Sequence, residues 1–156
     1  MVVRDYESEL KGLFPEGEVT ASQPKHFWVN VDRQKLREAV RAIRERLGIR
    51  HLTTIVAEDL REHFLVSYIF AGEVVVVLKV KADREKPEVP SLAPLITGAL
   101  VYEREIHDLF GIVPIEHPDL VRQVLPEDWP EGLYPLRKDV TLPRPTIPGE
   151  GEPKDA

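Results

Sequence analysis

Apolar and polar positions recur with different periods along the chain, and the period marks the elements. Tyr6, Leu10 and Phe14 fall at helical spacing before Pro15 and Gly17 end the pattern, which predicts a short helix over residues 2–14. A strand is expected at 18–21, followed by a second at 26–31, where HFWVNV is aromatic and β-branched. Leu36, Val40, Ile43 and Leu47 share one face of a helix predicted over 32–47, with Asp32 to cap its start and Gly48 to stop it. Three strands should follow at 49–57, 63–71 and 74–81, the last two joined tightly through Gly72 and Glu73. The run VVVVL at 74–78 reads as a strand covered on both faces.

Residues 81–90 are charged and punctuated by proline, which predicts a loop. Ser91 can then cap a helix over 91–110 that tolerates Pro94 in its first turn. On this helix Leu92, Ile96, Ala99, Glu103, Ile106 and Phe110 share a face, so Glu103 interrupts an apolar stripe. A carboxylate there needs a partner, and His107 at i+4 is the nearest candidate. Arg104 and Asp108 form a second i,i+4 pair on a more exposed side.

Nine of the 14 prolines lie between Pro114 and Pro153, leaving little room for a helix or central strand. Residues 113–147 therefore read as an extended arm, apolar enough through Leu120, Val121, Val124, Leu125, Trp129, Leu133, Tyr134 and Leu136 to seek a surface. Residues 148–156 are polar and expected to be disordered. Strands and helices do not strictly alternate as in a nucleotide-binding sheet. The expectation is an α+β domain over 1–112, with a mixed or antiparallel sheet packed by helices in two layers, and an extended Pro-rich C-terminal arm.

Composition narrows the chemistry. The 156 residues are 42% hydrophobic and 31% charged, enough for one core under a heavily charged surface. A net charge of -6 opposes nucleic-acid binding. The basic stretch 33–46 (Arg33, Lys35, Arg37, Arg41, Arg44, Arg46) reads first as a solvated, ion-paired helix face, and second as a dock for an acidic partner. With no cysteine, the chain has no disulfide, no iron–sulfur ligation through thiolates and no thiol nucleophile. The charge content, absent Cys and single Met would suit a protein from a hot environment. No apolar run is long enough to span a bilayer, and the N-terminal MVVRDYESELKG has charge where a signal peptide needs its apolar stretch, so a soluble cytoplasmic chain is expected.

Glu103, Glu105, His107, Asp108 and His117 offer ligand types that suit zinc, manganese or iron, but HExxH spacing is missing. The plainer reading is an ion-paired helix end closed by Gly111, with His117 in a turn before Pro118. No nucleophile elbow or phosphate loop accompanies them.

At EREIHDLFGI followed by HPDL, the chain resembles the hydrophilic thirty-kilodalton subunit family of proton-pumping NADH dehydrogenase, or complex I. Glu103, Arg104 and Glu105 match the opening triplet of the family motif, Asp108 with Phe110, Gly111 and Ile112 its helix end, and His117, Pro118, Asp119 and Leu120 its turn. Two departures, Val121-Arg122 at the usual second basic position and His107 at a usual aromatic, point away from NADH dehydrogenase proper. LPEDWPEGLYPLRKD at 125–139, with Trp129, Pro135, Leu136, Arg137, Lys138 and Asp139, is more similar to the equivalent subunit of energy-converting membrane-bound hydrogenases and their ferredoxin-dependent relatives.

The resemblance implies a non-catalytic subunit without cofactor or metal, peripheral on the cytoplasmic side of the membrane, that scaffolds an electron-transfer module coupled to ion translocation. Its implied partners are a hydrogenase-large-like (forty-nine-kilodalton-type) subunit, a small iron–sulfur subunit and a ferredoxin-like subunit, with the iron–sulfur clusters in those partners. The quoted motif residues, Arg122 and the 129–139 residues would face them, Arg137 pairing a partner carboxylate. Rival readings are the thirty-kilodalton subunit of NADH-quinone oxidoreductase proper, a small metal-dependent enzyme around His107, and a free-standing interaction domain using residues 33–46.

Overall fold

A computed structural model describes residues 4–142; the expected disordered tail at 148–156 and the last residues of the arm lie outside them. Helix α1 is Tyr6–Leu13, with Asp5 accepting the Ser8 N–H as its cap. Strands β1 (Val19–Gln23) and β2 (His26–Asn30) form an antiparallel pair. Asp32 then starts a short 3-10 turn, Arg33–Lys35, which leads into α2 (Leu36–Arg46). Strands β3 (His51–Asp59), β4 (His63–Ala71) and β5 (Val75–Asp83) form the meander. A three-residue loop joins β4 to β5, one residue longer than the pattern suggested, because Ala71 pairs with Val75.

The sheet runs β1-β2-β5-β4-β3 and is mixed: β2 lies parallel to β5, and every other pair is antiparallel. Val76, Leu78, Val80 and Ala82 of β5, with Phe64, Val66, Tyr68 and Phe70 of β4, face one core. Leu10 of α1 and Leu36, Ala39, Val40 and Ile43 of α2 join the same core. Each Val, Leu, Ile or Phe side chain among them contributes about 1.5–3 kcal/mol on burial.

The expectation of a strand covered on both faces is met in part: Val76 and Leu78 lie in the core, and Val77 is buried on the opposite face. The buried apolar residues of the helices all belong to that single core. On the other face Val77 is shielded by its cross-strand neighbours Trp28 and Ile69, and Lys79 lies 4.3 Å from the centre of the Trp28 ring. Side chains, not a third layer, exclude water there.

Two further corrections concern the chain beyond β5. The charged loop contains a strand, β6 (Glu88–Pro90), which pairs in parallel with β7 (Val113–Ile115). Three-residue strands that each carry a proline give little signal in a sequence. The helix expected over 91–110 is α3, Ala99–Phe110. Ala93 precedes Pro94, which disfavours helical backbone, and 91–98 instead forms turns in which Leu92 O accepts from Leu95 N–H and Ile96 N–H. Leu92 and Ile96 still pack at the core, but from outside the helix.

Candidate functional site

The motif residues gather where α3 ends and the chain turns into the arm. Glu103 is buried, as its place on an apolar stripe requires, but its partners differ from the expectation. Its Oε1 accepts the Leu92 N–H at 2.5 Å and its Oε2 accepts the Ser91 hydroxyl at 2.6 Å. His117 Nε2 lies 3.9 Å from Oε2, with both side chains 1% exposed. His107 is not the partner: its Nδ1 donates to Ile112 O at 3.1 Å, just past the helix end. His117 accepts the Asp119 N–H at Nδ1 and donates from Nε2 to Leu100 O. Burial pushes the Glu103 carboxyl above its ordinary value, against the pull of its two donors and of His117 and Arg37.

The second expected pair, Arg104 with Asp108, is also replaced. Arg104 reaches Asp119, donating to its carboxylate at 2.8 Å and to its carbonyl at 2.9 Å. Asp108 is buried and accepts the N–H groups of Gln123, Val124 and Leu125. Burial alone would raise the Asp108 carboxyl; the three donors outweigh it and hold it below the ordinary value. Both side chains thus fasten the start of the arm to α3 instead of pairing along the helix.

Gly111 takes the left-handed conformation at φ 72° and closes α3 through its N–H to His107 O. The Tyr134 ring lies so close that a β-carbon at 111 would fall 2.5 Å from it. Two carbonyls that the helix end leaves open find partners in the arm: Leu136 N–H donates to Leu109 O, and Arg137 Nε donates to Phe110 O at 2.7 Å. Arg137, expected to pair a partner carboxylate, is held here by its own chain, its guanidinium 4.5 Å from the Tyr134 ring centre and 5.1 Å from that of Phe64. Phe64 meets Phe110 edge-on at 6.2 Å. Lys138 N–H donates to Asp59, and Asp139 pairs with Arg84.

Within the arm, Arg122 Nη1 gathers the carbonyls of Pro126 and Trp129, and Trp129 Nε1 donates to Leu133 O. This folds 122–133 into a compact loop beside a recess of about 410 Å³, bordered by His107, Asp108, Arg122 and Tyr134. Glu105, Pro118, Asp119, Leu136, Lys138 and Asp139 are exposed, while Leu120 and Pro135 are half-buried. Among the described residues no three His, Asp or Glu side chains converge as a metal site would need, and no helix is long and apolar enough to cross a membrane.

Ser91, Asp59, Arg84 and Tyr134 carry contacts here that were not expected. The basic helix is mostly spoken for as well. Arg37 bonds Ser91 O, Ile115 O and Glu116, Arg44 bonds Leu95 O, Lys35 pairs with Glu16, and Arg33 pairs with Asp83. These contacts tie α2 to the site and leave less positive charge for an outside acid.

A family model described as respiratory-chain NADH dehydrogenase, 30 Kd subunit matches residues 29–146. The chain belongs to this family. Among relatives of the 30 Kd subunit family, formate hydrogenlyase subunit 5 of Escherichia coli is 40% identical over 95 residues, which cover 56% of this chain and 17% of that protein. The chain thus spans less than a fifth of the length of that relative. The membrane-bound hydrogenase subunit beta of Pyrococcus furiosus is 29% identical across 94% of this chain and 91% of its own length. Among solved structures, the trypsin-resistant fragment of Nqo5 superposes with a TM-score of 0.62 at 28% identity, covering 73% of this chain and 98% of the fragment. The family fold is therefore the α+β one read from the pattern.

Proposed function

We propose that this chain is a cofactor-free positioning subunit of a complex I-type oxidoreductase, nearest to the membrane-bound hydrogenases, and that it holds the peripheral electron-transfer module in place. The observation that carries the reading is the site itself. Its buried carboxylates, Glu103, Asp108 and Asp59, are consumed in accepting hydrogen bonds that shape a surface. The surface so shaped exposes Val101, Ile115, Val121, Val124 and Leu136 along α3, β7 and the arm, at 40–51% each.

Formate hydrogenlyase subunit 5 supports the choice of partner, since there the matching stretch is a small part of a much longer chain. The partner on this reading is a hydrogenase-large-like, forty-nine-kilodalton-type subunit. The contact is completed by a small iron–sulfur subunit, and the clusters reside in the partners, because this chain has no cysteine to ligate them. The complex places the chain on the cytoplasmic side of the membrane.

Affinity purification of the tagged full chain from detergent-solubilised native membranes tests this. It should retrieve a large hydrogenase-like subunit and a small iron–sulfur subunit, and the chain produced alone should hold no stoichiometric metal. A tagged chain that emerges alone, or one that carries a metal ion by itself, would overturn the reading. Recovery of NADH-oxidising subunits with it would instead assign it to NADH-quinone oxidoreductase proper.

A further inference from the structure

We propose that Asp59, Phe64 and Arg84 form an intramolecular clasp that locks residues 134–139 onto the domain in the free subunit, before any partner is met. The proposal rests on the positioning role above for its purpose, but its geometry stands apart from it. Asp59 ends β3, Phe64 begins the core face of β4 and Arg84 follows β5, so three neighbouring strands present them at one end of the sheet.

The Asp59 side chain is 1% exposed, unlike a surface ion-pair partner, and three donors converge on it. Arg61 N–H at 2.7 Å and Arg84 Nη1 at 2.6 Å come from its own domain, and Lys138 N–H at 2.8 Å comes from the arm. A buried carboxylate keeps its charge only when so satisfied, and the arm supplies part of what it needs. Arg84 uses its other nitrogen to hold Asp139 at 2.9 Å.

Phe64 binds the two sides together a second time. The guanidinium of Arg84 lies 5.2 Å from its ring centre and that of Arg137 5.1 Å, one cation from the domain and one from the arm. Two guanidiniums around one ring repel unless balanced, and Asp59 and Asp139 bring the matching two negative charges. Each carboxylate is bonded across the seam: the domain's Asp59 to the arm's Lys138 N–H, and the arm's Asp139 to the domain's Arg84. The segment is thereby held by its backbone at Leu136 and Lys138 and by its side chains at Arg137 and Asp139. Such redundancy fixes orientation, where a single contact would fix only proximity. An arm ordered in advance loses less conformational freedom on assembly.

Amide hydrogen exchange on the full chain, purified without partners, is the test. The Lys138 and Leu136 amides should exchange on the order of 100-fold more slowly than in an unstructured peptide. Asp59→Asn should return Lys138 to the unstructured rate while the amides of 123–125, held by Asp108, stay protected. Should Asp59→Asn fail to fold, Lys138→Pro removes the N–H from the arm side alone and should release Leu136 with the β4 and β5 amides unchanged. Fast exchange of Lys138 in the wild-type chain, or unchanged protection in the folded variants, would overturn the clasp. Protection without any partner recovered from membranes would keep the clasp and remove the positioning role.

Discussion

The sheet layer and the junction between α3 and the arm are held in opposite ways. In β4 and β5, Val66, Tyr68, Phe70, Val76, Leu78 and Val80 belong to one buried cluster, so no single contact decides the position of a strand. At the junction, individual polar atoms hold whole segments: Asp108 Oδ2 holds three successive amides, Glu103 holds the 91–92 turn, and Asp59 holds Lys138. Apolar packing is graded and tolerates small changes of shape, whereas a buried acceptor is either matched or unmatched. The core should thus respond to mutation in proportion to volume lost, and the junction by losing an orientation outright.

Phe64 belongs to both regions and should give the largest effect. Phe64→Ala removes a core ring and the seat of two guanidiniums, and should cost about 3–5 kcal/mol in urea denaturation. Glu103→Ala comes next, at about 2–3 kcal/mol, because Ser91 O–H and Leu92 N–H are left without an acceptor. Glu103→Gln should cost less and should flatten a pH slope. The carboxyl is raised in the folded state, so its contribution is full below its unfolded value and declines as pH rises through the folded one. A Gln variant whose stability keeps the wild-type slope above the ordinary carboxylate range would contradict the assignment.

Gly111→Ala should cost about 1–2 kcal/mol from left-handed backbone strain and displace Tyr134, which exchange at Leu136 would report while the sheet amides stay protected. Asp108→Asn should cost about 1 kcal/mol at neutral pH. Because the Asp108 carboxyl is lowered on folding, the wild type should lose that advantage as pH falls below the ordinary carboxylate range, and acid titration of both proteins should bring their curves together. The smallest change in stability belongs to Val124→Ser, under about 0.5 kcal/mol at an exposed site, yet it should lower the yield of partners in the membrane purification.

Legibility in the sequence follows the same division. Periodicity located α2 through Leu36, Val40 and Ile43, and β4 to the residue, because core-facing positions repeat locally. It missed β6 and β7, which are too short to show a period, and placed the start of α3 at Ser91, ahead of Pro94, where the helix begins at Ala99. Glu103 stood out as a carboxylate on an apolar stripe, but the contacts it makes through Ser91 and Leu92 lie outside its helix, where i,i+4 reasoning does not reach. Asp59 gave no signal at all: apart from Arg61 two positions on, its donors sit 25 and 79 positions away. The family motif drew attention to the segment that contains Arg137, while the intramolecular duty of Arg137 emerged only from the geometry.

The parallel pairing of β2 with β5 bears on how the chain comes off the ribosome. His26 must wait for Val75, roughly fifty residues later, before its inner edge is paired, and β1 depends on β2 in turn. A nascent chain ending short of β5 would hold an unpaired, aromatic-rich strand with nowhere to go. Synthesis therefore passes through a sticky interval that closes only when the meander is complete, and the arm, made after it, arrives at a domain already able to receive it.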